Sequence, residues 1–182
     1  MFSLSTARGI TLIEFLAVLL IVSILAALGL PAFTSVLHKH RAKSAAETLH
    51  AHLRFAKTEA IKRNQQIHVN FNVSADGTTW CYGLRQESTC DCSVANSCHL
   101  DSVEKVVSSS DFPNTKMQTS LSSPGNRLTF DNVRGIMDST FGNIRFYTAE
   151  NKEVRLIINR LARFRFCSPA GNANIAGYST SC

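Results

Sequence analysis

Arg8-Gly9-Ile10-Thr11-Leu12-Ile13-Glu14, continued by FLAVLLIVSILAALGLP at residues 15–31, is the stretch that decides the fold. From residue 10 to residue 30 only Thr11, Glu14 and Ser23 are polar. As a helix rising 1.5 Å per residue, this stretch measures roughly 30 Å, one bilayer core. Residues 1–9 carry Arg8 and no apolar region of their own. A secretory signal places its apolar stretch ahead of the cleavage site. Here the candidate cut, Gly9-Ile10, comes first, so cutting leaves the apolar helix on the mature chain. Glu14 is then a carboxylate inside a membrane span, which is costly and normally has a partner or a function. Cleavage gives Ile10 an α-amino group, and a neighbouring subunit can set that ammonium beside Glu14, compensating both charges in low dielectric. Pro31 lacks an N–H and clashes with the preceding turn, which predicts a kink or local melting over residues 27–31.

Beyond Pro31 a 3.6-residue period returns. Ala42, Ala45, Leu49, Leu53, Ala56 and Ala60 form one apolar stripe, with Lys39, Lys43, Arg54 and Lys57 largely outside it. Strands follow. Residues 67–73 alternate strictly, Asp76-Gly77 is a turn signal, and residues 78–84 are a plausible partner strand. Residues 128–130, 143–148, 154–158 and 163–167 continue the series. Residues 85–99 read as a loop, and residues 101–123, rich in Ser and Thr, resist assignment. One long helix followed by strands predicts an α+β head, the helix packed on an antiparallel β-sheet. The expected division is a leader at 1–9, a transmembrane helix at 10–30, its amphipathic continuation at 31–63, and a β-rich head at 64–182 ending in a tail at 168–182.

The six cysteines, Cys81, Cys90, Cys92, Cys98, Cys167 and Cys182, all lie after the apolar span. An even count on one side points to disulfides in an oxidising compartment. The spacing lacks the paired knuckles of a structural zinc site. The tail has almost no apolar residues besides Ile175 and Tyr178, so Cys167 and Cys182 are expected to pair and close it. The other four are expected to pair among themselves in a connectivity the sequence leaves open.

Net charge is +6, concentrated in two zones. Residues 36–63 carry +5 (seven basic, two acidic), residues 64–150 carry −3 (six basic, nine acidic), and residues 151–182 carry +4 (five basic, one acidic). In a strand over 163–167, Arg163 and Arg165 share one face and Phe164 and Phe166 the other. Arg160 lies in the preceding turn, and Lys152 and Arg155 belong to the same zone. Paired arginines suit phosphate because their planar forks donate bidentate hydrogen bonds; the competing reading is a solvated strand face. The histidine pairs His38/His40 and His50/His52 do not face each other on a helix. The sequence contains no nucleophile–base motif, glycine-rich phosphate loop or paired carboxylates. The expectation is therefore a non-enzyme without cofactor or metal.

The segment from Arg8 to Glu14 with its apolar helix resembles the class III signal of type IV prepilins and type II secretion pseudopilins. That resemblance implies cleavage after Gly9 by a prepilin peptidase, N-methylation of Ile10, assembly with other pilins or pseudopilins through the N-terminal helix, and a registration role for Glu14. Ile10 stands where Phe is more usual. Lysines and arginines near the span ends do not by themselves place the head outside; the cysteines and the leader motif do.

The C-terminal third resembles the FimT/GspH group of minor pilins and pseudopilins. FimT members share a basic G-R-x-R element linked to DNA binding in natural transformation. The matching positions here are Ala162-Arg163-Phe164-Arg165. Alanine tolerates positive φ poorly, so a slightly different turn is expected. The resemblance implies a minor pilin of FimT type in the inner membrane, a single pass with its head in the periplasm, joining a pilus or pseudopilus. Its head would hold double-stranded DNA without sequence preference through Arg160, Arg163, Arg165, Lys152 and Arg155. The alternative is a GspH-type minor pseudopilin of type II secretion, or an assembly-priming minor pilin, neither binding DNA.

Overall fold

The computed structural model describes residues 11–123, 125–137, 140–180 and 182, with backbone alone for residues 28–32. Gly9 and Ile10, the expected processing site, lie outside the described residues. The chain divides into two compact units, residues 1–37 and 38–182. One helix, α1 (Leu12–Arg63), contributes to both.

In the first unit α1 begins at a local cap, where the Glu14 backbone N–H donates to Thr11 Oγ1 at 3.3 Å. Its apolar side chains are exposed, Leu12 and Ile13 by more than three quarters. The backbone stays helical through residues 27–31, so the expected local melting does not occur. A single proline removes one hydrogen bond of the ladder, and the flanking Leu- and Ala-rich turns are strong helix formers that carry the helix past it. Among the described residues no helix is long and apolar enough to cross a membrane. The span read from the sequence, residues 10–30, runs beyond the described side chains at both ends.

In the second unit the apolar stripe of α1 is the floor of the core. Ala42, Ala45, Leu49, Leu53, Ala56 and Ala60 are all essentially inaccessible, as is Ala46 beside them. At its end Asn64 takes the left-handed conformation usual after a helix C-terminus. Arg63 donates to Glu59 at 2.5 Å and pairs with both carboxylate oxygens of Asp101.

Two four-stranded antiparallel sheets cover this stripe. The first has the order β5 (Val106–Ser108), β2 (Trp80–Gln86), β1 (Ile67–Val73), β7 (Arg127–Phe130). The second has the order β10 (Phe164–Cys167), β9 (Glu153–Ile158), β8 (Gly142–Tyr147), β6 (Lys116–Leu121). A small hairpin joins β3 (His99–Leu100) and β4 (Val103–Glu104). Alternation dictates the packing. Ile144, Phe146, Val154, Leu156 and Ile158 turn inward and are buried, while their neighbours along each strand turn outward. Trp80 sits edge-on to Phe146 and donates its indole N–H to the Thr115 carbonyl at 2.8 Å.

The unassigned Ser/Thr-rich stretch holds β4, β5 and β6, and β6 closes one edge of the second sheet. β2 starts two residues later than the sequence suggests, because Asp76 takes hydrogen bonds from Ser74 and Thr78 and holds the chain in a turn to that point. Disulfides join Cys81 to Cys92, Cys90 to Cys98, and Cys167 to Cys182. The first two fold the cysteine loop onto β2, with Cys98 directly over Gly83.

Candidate nucleic-acid interface

The basic C-terminal hairpin is organised by Asn159. Its side-chain oxygen accepts from the backbone N–H groups of Leu161 and Arg163, and its own N–H donates to the Arg163 carbonyl at 3.2 Å. Ala162 completes the turn with φ of 51° and is buried. The alanine therefore does enter the left-handed region, and the turn keeps the shape a glycine would take more cheaply.

From this turn β10 pairs with β9, setting Arg165 opposite Ile157 and Cys167 opposite Arg155. Phe164 and Phe166 face inward against the His50 ring, with centroids at 5.6 and 5.1 Å. Burial, then the nearby Arg54 charge, lowers the His50 pKa and favours the neutral ring in this aromatic contact. Arg163 and Arg165 alternate outward and are exposed. Arg155 shares that outer face because opposed residues of an antiparallel pair point the same way. Its Nε donates to Glu153 at 2.8 Å. Among the described residues, no carboxylate lies within 4.0 Å of the Arg163 or Arg165 guanidinium.

The remaining sequence-predicted residues stand elsewhere. Lys152 is tied to the tail, its ammonium donating to the Asn172 carbonyl. Arg160 lies over the Phe141 ring, 5.4 Å from its centroid, and lines a shallow cavity with Asp131 and Arg134. Glu14 is in the first unit and is exposed. The tail also meets α1, where Tyr178 donates to Glu47 at 3.1 Å and Lys43 lies over the Tyr178 ring, and within the tail buried Ile175 donates its N–H to Ser168 Oγ.

Two further cations share the outer face and escaped the sequence reading. Arg145 on β8 is the direct cross-strand partner of Arg155. Lys116 on β6 stands opposite Tyr147 of β8. The signal that could have found Arg145 is the alternation Asn143-Ile144-Arg145-Phe146, which sets it opposite to the apolar side chains; the order of strands, which brings it beside Arg155, is not encoded there. Among the described residues no three His, Cys, Asp or Glu side chains converge as a metal site.

No curated protein matches the sequence significantly. Solved structures with a similar course include the minor pseudopilin EpsH of the Vibrio cholerae type 2 secretion system. It is 13% identical, with a TM-score of 0.48 over 72% of this chain and 99% of that one. The type IV minor pilin FimU of Pseudomonas aeruginosa matches in two crystal forms. These are 19% and 20% identical, with TM-scores of 0.45 and 0.46 over 71% of this chain and 98% and 92% of theirs. The family model described as type II transport protein GspH matches residues 45–162, from the buried stripe of α1 to the turn before β10. That match takes in most of the chain, which therefore belongs to the GspH family of type IV pilin-like proteins.

Proposed function

We propose that this chain is a minor pilin of FimT type, a filament component whose head holds double-stranded DNA through its backbone phosphates. The observation that carries the reading is the pair of exposed arginines, Arg163 and Arg165, beside Arg155 on one sheet face and without carboxylate partners among the described residues. Guanidinium forks on a rigid strand suit phosphate oxygens, and among the described residues no element of the head resembles a base-reading helix, so recognition is independent of sequence. In this reading a prepilin peptidase cuts between Gly9 and Ile10. Residues 10–30 then hold the chain in the inner membrane with its head in the periplasm until Glu14 meets the N-terminus of a neighbouring pilin during assembly.

One finding favours a second reading. The matched family bears the description of a type II transport protein, which points to a minor pseudopilin of secretion. Arg163 and Arg165 lie just past the matched residues, so the match itself says nothing about the basic strand. Deletion of the gene, with complementation by the wild-type chain or by Arg163→Gln/Arg165→Gln, separates the two. The DNA reading expects fewer transformants on deletion, normal protein secretion, and no rescue of transformation by the variant. A secretion defect rescued equally by both chains, with unchanged transformation, supports the pseudopilin reading instead.

A further inference from the structure

Arg165, Arg155, Arg145 and Lys116 stand on four successive strands of the second sheet, all on its outer face. We propose that DNA lies along an oblique track crossing this whole sheet, from Arg163 and Arg165 through Arg155 and Arg145 to Lys116. The inference rests on the DNA-binding reading above and adds the path of the nucleic acid and two contact residues outside the basic hairpin.

The register draws the line. Arg165 is level with Ile157 and Asn143; Arg155 is level with Arg145 and Gln118; Lys116 is level with Tyr147 and Glu153. Each step is therefore one strand across, and the first and last also move one outward-facing position along. With strands about 4.8 Å apart and a rise of about 3.4 Å per residue, the diagonal from Arg165 to Lys116 measures about 20 Å. At 3.4 Å per base pair that covers about six base pairs of backbone.

The charges on the face are poorly matched within the chain. Arg145 and Arg155 are directly opposed, a like-charge placement that disfavours the sheet unless an anion lies between them. Glu153 engages Arg155. Among the described residues no carboxylate lies within 4.0 Å of the Arg145 guanidinium or the Lys116 ammonium. Arg145 is half-buried, and its Nε is buried without a hydrogen-bond partner. Beside Arg145 and Lys116 stand Gln118 and Tyr147, neutral side chains of the kind that also contact phosphate. A phosphodiester chain supplies the acceptors that this face lacks.

The test is a titration of the detergent-solubilised full chain, in a neutral detergent, with a fluorescent random duplex at several salt concentrations. Each phosphate contact contributes about 0.9 to the slope of log K against log salt. Arg145→Gln and Lys116→Gln are each expected to flatten the slope by about 0.9. Lys105→Gln, an exposed lysine off this face, serves as control and is expected to leave it unchanged. If Arg163→Gln/Arg165→Gln flattens the slope but Arg145→Gln and Lys116→Gln do not, the track is wrong and the hairpin reading stands. If the wild-type chain binds no duplex, both fall. Binding to anionic phosphatidylglycerol vesicles without binding to DNA overturns both and assigns the face to lipid.

Discussion

Gly83→Ala tests how the cysteine loop is built. Gly83 lies buried in the middle of β2, paired with Asn70 on one side and Val106 on the other. An ideal Cβ added there falls 2.4 Å from Cys98 Sγ and 2.6 Å from Cys98 Cβ. Cys98 is fully buried and bonded to Cys90, so its side chain cannot swing away. Overpacking a rigid site costs about 1–3 kcal/mol, and the tether puts this position at the upper end. At about 2–4 °C per kcal/mol for a chain of this size, the melting temperature should fall by about 6–12 °C. Trp80 is the only tryptophan and is buried three residues away, so its emission reports the transition. The decisive comparison repeats the substitution in a Cys90→Ser/Cys98→Gly background, which removes both clashing atoms. There Gly83→Ala should cost less than about 1 kcal/mol. An equal cost in both backgrounds refutes the close-approach argument.

Cys182→Ser opens a loop of sequence separation 15, worth about 3 kcal/mol in the chain-entropy model. The amides of Ser168 and Ile175, bonded within the tail, should then exchange faster; unchanged protection would mean that Tyr178 and Ile175 hold the tail unaided. Burial lowers the pKa of His50, His52 and His68 in the folded chain. The unfolded chain therefore binds more protons below about pH 6.5, and stability should be full above that pH and fall as pH drops. A higher melting temperature at pH 5.5 than at pH 7.5 would contradict this. Intact-mass measurement of membrane-extracted protein should show loss of residues 1–9, and Glu14→Ala should leave the chain in the membrane but impair filament assembly.

The architecture was legible because burial imposes period: 3.6 over Ala42 to Ala60 and 2 over Ile67 to Val73 and Val154 to Ile158. β6 was not legible. Its sequence, KMQTSL, buries only Met117 fully, and an edge strand with one inward anchor carries too little alternation to stand out among serines and threonines. The arginine pair could be read from spacing alone. Arg145 and Lys116 could not be joined to it, because cross-strand neighbours depend on sheet order, which period does not encode. Lys152 and Arg160 belong to the same basic zone in sequence, yet local contacts with Asn172 and Phe141 draw them elsewhere. Local charge counts cannot register such contacts.

The most direct measurement for the DNA reading is an anisotropy titration of the full chain and its Arg163→Gln/Arg165→Gln variant against random duplex DNA at low and moderate salt. Circular dichroism serves as the folding control. Both side chains are exposed and lack carboxylate partners among the described residues, so the variant should keep its spectrum. The wild-type chain should bind with micromolar-class affinity that weakens steeply with salt, and the variant should lose most of that binding. Equal affinity of the two folded chains would contradict the account.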